Sequence, residues 1–156
     1  MEEYKVPKQR ASVLVEIPPH TPEERFLFLS PFAQSHQGAE TISDIFGVPQ
    51  RFLPLFRATG EVVLVRREAI SWIKVGDPRR TEWYYYEHQI GAPQAAVQVE
   101  FADAAIMEGR ICLIGPIGGQ RVIDVVNRKE RFLQLERDDD LFLVNLDHVV
   151  SITVKE

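Results

Sequence analysis

Hydrophobic residues recur at every second position near the N-terminus, which predicts a β-strand. Val13, Val15 and Ile17 share one face of that strand, and the positions between them are mostly polar, a pattern typical of a half-buried strand. The proline-rich residues 18–22 end the strand, because proline cannot donate to a strand ladder. The next hydrophobic segment, residues 25–30, is apolar on both faces and indicates a central or covered strand.

The same arrangement of hydrophobic segments occurs twice, which predicts a tandem duplication. Residues 51–55 and 131–135 both read Arg-Phe-Leu-x-Leu, and the second lies 80 positions after the first. A neighbouring acidic residue also aligns, because Asp44 falls on Asp124 at the same spacing. We therefore predict three parts, which are repeat 1 over residues 11–75, a connector over residues 76–94 and repeat 2 over residues 95–156.

Each repeat is predicted as an all-β unit with one short helical turn. The order is strand, strand, helical turn and then three further strands, in a segment of the size found in SH3-like and Sm-like barrels. Both faces of several strands are apolar, so the two repeats are expected to cover each other. The predicted fold is thus two tandem five-stranded small barrels or curled sheets, packed with pseudo-twofold symmetry.

The helical turns, residues 41–46 and 121–126, carry the aligned acids. We interpret Asp44 and Asp124 as helix caps rather than a catalytic pair, because a carboxylate accepts the unpaired N–H groups of a first turn. Gly47 and Asn127 occupy equivalent positions. These two residue types most readily adopt the left-handed conformation that ends a helix, and we predict that conformation here.

Two segments are candidates for function, the loop over residues 32–39 and the connector. The loop over residues 32–39, which contains His36, is longer than its counterpart and is a natural place for function to differ. The connector holds four consecutive aromatic residues, which favour an extended conformation. It is either an added strand or clamp across the seam between the repeats, or a binding surface. The predicted binding residues are His36, Arg79, Arg80, Trp83, Tyr84, Tyr85 and Tyr86.

Composition narrows the functional classes. Of 156 residues, 45% are hydrophobic and 26% are charged, as in ordinary globular proteins. No segment is long and apolar enough for a membrane helix, which predicts a cytoplasmic protein without a membrane partner. The net charge of −5 disfavours nucleic acid as the main partner. The single cysteine, Cys112, lies in an apolar run and is predicted to be a buried, inert thiol.

No catalytic, metal or cofactor motif is found in the sequence. The four histidines are scattered without the spacing of a zinc site. His148 follows Asp147 but aligns with Ala69, and no serine or cysteine nucleophile accompanies it. Residues 115–119 lack the Gly-Lys-Ser/Thr ending of a phosphate-binding loop and are predicted as a turn. The sequence therefore predicts a protein that is not an enzyme and uses no cofactor or metal.

A family resemblance supports the fold. Repeat 2 reads Gly-x-Arg-Val-x-Asp-Val-Val-Asn at residues 119–127, Arg-Phe-Leu-x-Leu at 131–135 and Leu-Val-Asn-x-Asp-His-Val-Val at 143–150. This resembles a small all-β module, a domain of unknown function in uncharacterised bacterial proteins. Repeat 1 keeps residues 42–44 and 52–55 of that pattern but departs from it at residues 66–68. The resemblance implies a small all-β fold and no particular activity.

Two functions remain open at this point. The first is a non-catalytic protein-interaction or regulatory module that uses the loop over residues 32–39 or the aromatic connector. The alternative is a small barrel that binds a nucleic acid or nucleotide by base stacking and phosphate contacts, through the tyrosines and Arg66, Arg67, Arg79 and Arg80. We predict another protein as the partner, and a homo-oligomer stays open.

Overall fold

The computed structural model describes residues 7–114 and 121–155, which form ten antiparallel strands and four short helices. The first half contains β1 (Gln9–Glu16), β2 (Glu23–Leu29), α1 (Ile42–Gly47), β3 (Phe52–Phe56), β4 (Val62–Arg66), a 3-10 turn (Arg67–Ala69) and β5 (Trp72–Val75). The connector contains α2 (Pro78–Thr81) and α3 (Trp83–His88). The second half contains β6 (Gln94–Phe101), β7 (Ile106–Cys112), α4 (Val122–Val126), β8 (Phe132–Arg137), β9 (Asp140–Asn145), a 3-10 turn (Leu146–His148) and β10 (Val149–Lys155).

All ten strands belong to one open sheet, in the order β10-β6-β7-β8-β9-β5-β1-β2-β3-β4. The prediction of a mostly β protein with short helical turns is confirmed. The finer prediction of two separate five-stranded barrels with pseudo-twofold packing is not confirmed, because the strands of both halves join in a single sheet. Each half has the same succession of elements and the same strand order, while an origin by duplication stays a prediction.

The two halves join where β5 pairs with β9. Trp72 pairs with Val144, and the register continues to Lys74 opposite Phe142. The Trp72 ring meets the Phe142 ring edge to face, with centroids 5.3 Å apart. Next to the paired strands, the buried side chain of Asn145 donates from Nδ2 to the carbonyl oxygen of Ile70 at 2.9 Å. We call this junction of β5 and β9 the internal seam.

The hydrophobic cores extend across the internal seam. Leu143 of β9 is buried among core residues of the first half, including Ile73 and Val75. In return, Trp72 of β5 packs against the core of the second half. Because each half places an apolar side chain in the core of the other, burial as well as strand pairing holds the halves together.

The helical turns show the predicted aspartate caps. Asp44 accepts the backbone N–H of Thr41 at 2.8 Å, and the Thr41 hydroxyl accepts the N–H of Asp44 at 3.1 Å. In the second half Asp124 accepts the backbone N–H of Arg121 at 3.2 Å. Hydrogen bonding to the Arg121 side chain lowers the pKa of Asp124. These carboxylates thus satisfy helix-terminal donors, as the sequence predicts.

The predicted left-handed helix stops are wrong. Gly47 is the last residue of α1 and is not among the glycines with positive φ, and the chain leaves through Val48 in an extended conformation. Asn127 has φ of −96°. Its side chain donates from Nδ2 to the carbonyl oxygen of Ile123 at 2.9 Å instead. Asn127 therefore ends α4 through a side-chain hydrogen bond, which needs no left-handed backbone.

The register of β10 shifts between Val149 and Ser151, which places a β-bulge near Val150. Two smaller predictions concern the single thiol and a loop. Cys112 is buried, as predicted, and that burial raises the pKa of its thiol. The turn predicted over residues 115–119 lies outside the described residues.

Candidate interaction surface

The aromatic connector is helical, and the prediction of an extended segment is wrong. Pro78 occupies the first turn of α2, where its missing N–H costs nothing. In α3 the N–H of Tyr86 donates to the carbonyl of Glu82 at 3.2 Å, and Gln89 donates to Tyr85 at 3.0 Å. The preference of aromatic residues for strands depends on the packing that a sheet offers. Here tertiary contacts made by the side chains override that preference.

Glu82 fixes the connector to the first half. Its buried carboxylate accepts the backbone N–H groups of Ile42 at 2.8 Å and Ser43 at 2.9 Å, and the Ser43 hydroxyl at 2.6 Å. Burial raises the pKa of Glu82 in spite of these hydrogen bonds. The carboxylate thus supplies partners for the N-terminal donors of α1 from 40 residues away. Sequence reasoning missed this residue, whose only signal is a lone acid beside an aromatic run.

Tyr85 of α3 fixes the connector to the second half. Its ring is buried together with Cys112 and Leu141, and its hydroxyl donates to Glu136 at 2.9 Å. Burial, followed by the hydrogen bond to Glu136, raises the pKa of Tyr85. Tyr86 packs edge to face against Tyr85 with centroids 5.2 Å apart. Through Glu82 and Tyr85, the connector is hydrogen bonded to α1 of the first half and to β8 of the second half.

The loop over residues 32–39 packs on the connector. The His36 ring stacks on Tyr84 with centroids 4.6 Å apart and meets Trp83 edge to face at 5.6 Å. The Trp83 indole donates to the carbonyl oxygen of Ala39 at 3.0 Å. Gly38 has φ of +93°, and a Cβ there would lie 2.6 Å from the Trp83 ring. The indole therefore sits against backbone that only glycine can supply.

Both ring nitrogens of His36 are engaged. Nδ1 lies 2.8 Å from the carbonyl oxygen of Gln37, and Nε2 lies 2.7 Å from Asp44. These two contacts, the Gln37 carbonyl first, raise the pKa of His36. The Ser35 hydroxyl donates to Asp44 at 3.3 Å and is not held by the histidine. The arrangement lacks the nucleophile-to-histidine hydrogen bond of a catalytic triad, and it fixes the loop instead.

The predicted arginines do not form one basic site. The Arg79 guanidinium lies over the Tyr86 ring at 4.2 Å. Arg80 contacts Asp77 at 3.3 Å. Arg67 is buried and donates to backbone carbonyls in the last turn of α1 and just after it, and Arg66 lies 3.7 Å from Glu68. The structure therefore brings His36, Trp83 and Tyr84 together, places Arg79 with Tyr86, and buries Tyr85.

A groove of about 340 Å³ lies between α3 and the second half. Tyr84, Tyr85 and His88 contribute from the connector. The second half contributes the apolar side chains of Cys112, Ile114, Val125, Phe132, Leu133 and Leu146, and the polar side chains of Arg128, Glu130 and Gln134. Apolar walls with a few polar groups are typical of a site that binds a side chain or small ligand.

Neither a metal site nor a membrane-spanning helix occurs in the described part of the chain. Within residues 7–114 and 121–155, no three histidine, cysteine, aspartate or glutamate side chains are grouped so as to hold a metal ion. No helix over the same residues is long and apolar enough to cross a membrane. No known family model, curated protein or solved structure matches this chain.

Proposed function

We propose that this chain is a non-catalytic protein-interaction or regulatory module, and that it binds its partner with the surface formed by α3, the loop over residues 32–39 and the adjoining groove. One observation carries the proposal. The loop, which is longer in sequence than its counterpart in repeat 2, and the connector, which has no counterpart in repeat 2, pack on each other through His36, Trp83 and Tyr84. Features that a repeat adds to a shared scaffold are where function differs.

Exposed apolar side chains accompany this surface. Tyr84 is 39% exposed at the groove, Phe32 projects from the loop, and Ile90 projects just after α3. Aromatic residues on a rigid element are the usual anchors of protein interfaces, because they bury a large area at a small entropic cost. The hydrogen bonds of Glu82 and Tyr85 to opposite halves hold α3 in place, so binding requires little ordering of the helix.

The contacts of the connector favour a protein partner over a nucleic acid. Base stacking needs free aromatic faces, whereas His36 and His88 stack on Tyr84 and the Arg79 guanidinium covers a face of Tyr86. Phosphate contacts need free cations on one surface. Arg80 instead pairs with Asp77, and the net charge of the chain is −5.

The test is affinity capture from a native lysate with the full chain as bait, with and without nuclease. The proposal predicts a discrete protein partner that resists nuclease and is lost with the Tyr84→Ala/His88→Ala double variant. Glu24→Ala, an exposed change on β2, serves as the matched control and is expected to keep the partner. Capture that is lost on nuclease treatment and falls steeply with salt would replace this proposal with the nucleic-acid alternative.

Three finer assignments belong to this proposal. They are the division into two five-stranded units over residues 11–75 and 95–156, the linking role of residues 76–94, and a cytoplasmic site of action. The division is supported by the shared strand order of the halves. The other two rest on the sequence alone.

A further inference from the structure

We propose that copies of this chain assemble head to tail, with β4 of one chain pairing with β10 of the next. The two strands are the edges of the open sheet. They are also the counterparts of the strands that form the internal seam, since β4 corresponds to β9 and β10 corresponds to β5 in the order of elements. The chain therefore already contains one example of the contact that its own edges would make. This assembly uses a different surface from the proposed partner site.

The residue pairing of β5 with β9 can be applied to β10 and β4 with no insertion or deletion in either strand. Aligned residues of these strands lie 79 positions apart, as Leu64 and Leu143 do. The internal seam pairs Ile73 with Leu143. At the same spacing Ile152 of one chain would lie opposite Leu64 of another. The neighbouring pairs would be Ser151 with Val65 and Thr153 with Val63.

Apolar side chains that are buried at the internal seam have exposed counterparts at the two edges of the sheet. Leu143 is 0% exposed in the internal seam, whereas its counterpart Leu64 is 66% exposed. Val75 is 1% exposed, whereas its counterpart Val154 is 52% exposed. In the internal seam Leu143 and Val75 belong to one buried cluster. Edge pairing would bring Leu64 of one chain against Val154 of the next and bury both.

Neither edge carries the usual protection against strand pairing. Natural sheets guard their edges with internal charges, prolines or very short strands. Within β4 the charged residue is Arg66 at its end, and within β10 it is Lys155 at its end. The five residues of β4 and the seven of β10 otherwise offer apolar or small polar side chains.

An ion pair of the internal seam also has a counterpart. Arg131 of the second half lies 3.5 Å from Glu68 of the first half. The aligned residues are Arg51 and Asp147, so an arginine and an acid again face each other across the proposed contact. Three other contacts of the internal seam are lost. Ser151 replaces Trp72 and its ring contact. Arg66 replaces Asn145 and its hydrogen bond to Ile70. Thr153 replaces Lys74, which lies 3.5 Å from Asp140 in the internal seam. We therefore expect a weaker contact than the internal seam, with assembly that depends on concentration.

The contact is heterologous, since two different edges meet. Each edge can therefore be disabled separately by one substitution. Leu64→Asp disables the β4 edge, and Val154→Asp disables the β10 edge. Both side chains are exposed, so the folded chain is expected to tolerate either change. Ile106→Asp, an equally exposed apolar position at the start of β7, is the matched control. Sedimentation velocity would measure mass against concentration for each full-length chain, with circular dichroism to check folding.

The wild type and Ile106→Asp are expected to form a concentration-dependent series of assemblies or a closed ring. Leu64→Asp and Val154→Asp are each expected to remain single chains. An equimolar mixture of the two is expected to form dimers that grow no further, because each partner supplies the one edge that the other retains. Wild type that stays a single chain overturns the proposal. Assembly that survives in either edge variant, or a mixture without dimers, also overturns it.

Discussion

Replacing Glu82 with alanine is the most informative single perturbation of the connector. The side chain is buried and is the acceptor for the backbone N–H groups of Ile42 and Ser43 and for the Ser43 hydroxyl. Ile42 is fully buried in the first core, so its N–H has no access to water in its place. The Ser43 hydroxyl still accepts from Gln134 Nε2 at 3.1 Å, but its own O–H loses its acceptor. The loss therefore falls on one buried donor and two partly buried donors.

The magnitude follows from those contacts. A buried donor left without a partner costs about 1–3 kcal/mol, and a partly buried donor costs less because water can reach it. Removing the carboxylate also relieves its own desolvation, which is what raises the pKa of Glu82. We expect Glu82→Ala to lower the free energy of unfolding by about 2–3 kcal/mol. Urea denaturation at neutral pH measures this change.

The matched control lies on α3, the helix that follows Glu82. Glu87 is an exposed acid of α3, and Glu87→Ala is expected to change the free energy of unfolding by less than about 0.5 kcal/mol. If Glu82→Ala were no more destabilising than Glu87→Ala, the carboxylate would not be holding the start of α1. The claim that Glu82 links the connector to the first half would then be wrong.

The raised pKa of Glu82 gives a second result from the same experiment. Between the ordinary glutamate pKa of about 4.3 and the raised value, the folded chain binds a proton that the unfolded chain has released. The contribution of Glu82 to stability therefore falls as pH rises through that window. We expect the stability of the wild type relative to Glu82→Gln to fall over the same window. A relative stability that rises there would contradict the assignment.

Two further predictions concern the loop. The pKa of His36 is raised, so the part of its stabilisation that comes from protonation should be complete below about pH 6.5 and disappear as pH rises through the raised value, measured relative to His36→Ala. Proton NMR of the imidazole measures this titration, and a midpoint at or below the ordinary value would refute the contacts with Gln37 and Asp44. Gly38→Ala should cost at least about 2 kcal/mol, because it combines backbone strain with a collision against Trp83. Gly60→Ala has similar backbone but open space, so equal costs in urea denaturation would refute the collision.

The strands and the caps could be predicted because their signals are local. Alternation at Val13 and Val15 reports burial on one face of a strand, and both residues are buried in β1. Asp44 and Asp124 satisfy donors within three residues of themselves. Interactions at such short separations appear directly in the sequence pattern.

The connector could not be predicted because its conformation depends on distant residues. Four consecutive aromatics favour a strand only where a sheet covers them. Here Trp83 donates to Ala39, and Tyr85 donates to Glu136 on the other side. No local pattern marks those partners. Pro78 at the start of α2 was the one local helix signal.

The pairing of the two halves through β5 and β9 also could not be predicted from the sequence pattern. Apolar residues on both faces of β9 indicate that something covers the strand. They do not distinguish a second sheet from a neighbouring strand of the same sheet. The pairing of Trp72 with Val144 decides this question, since it places both halves in one ten-stranded sheet.

The most direct test of the proposed interaction surface is photo-crosslinking in cells from position 84. Tyr84 would be replaced by a photoreactive phenylalanine analogue in the full chain, and Glu24 would be replaced in a parallel chain as the control. The account predicts a discrete protein adduct from position 84 and none from position 24, identified by mass spectrometry. Adducts with nucleic acid, or the same adducts from both positions, would contradict the central claim that α3 and its loop form a protein-binding surface.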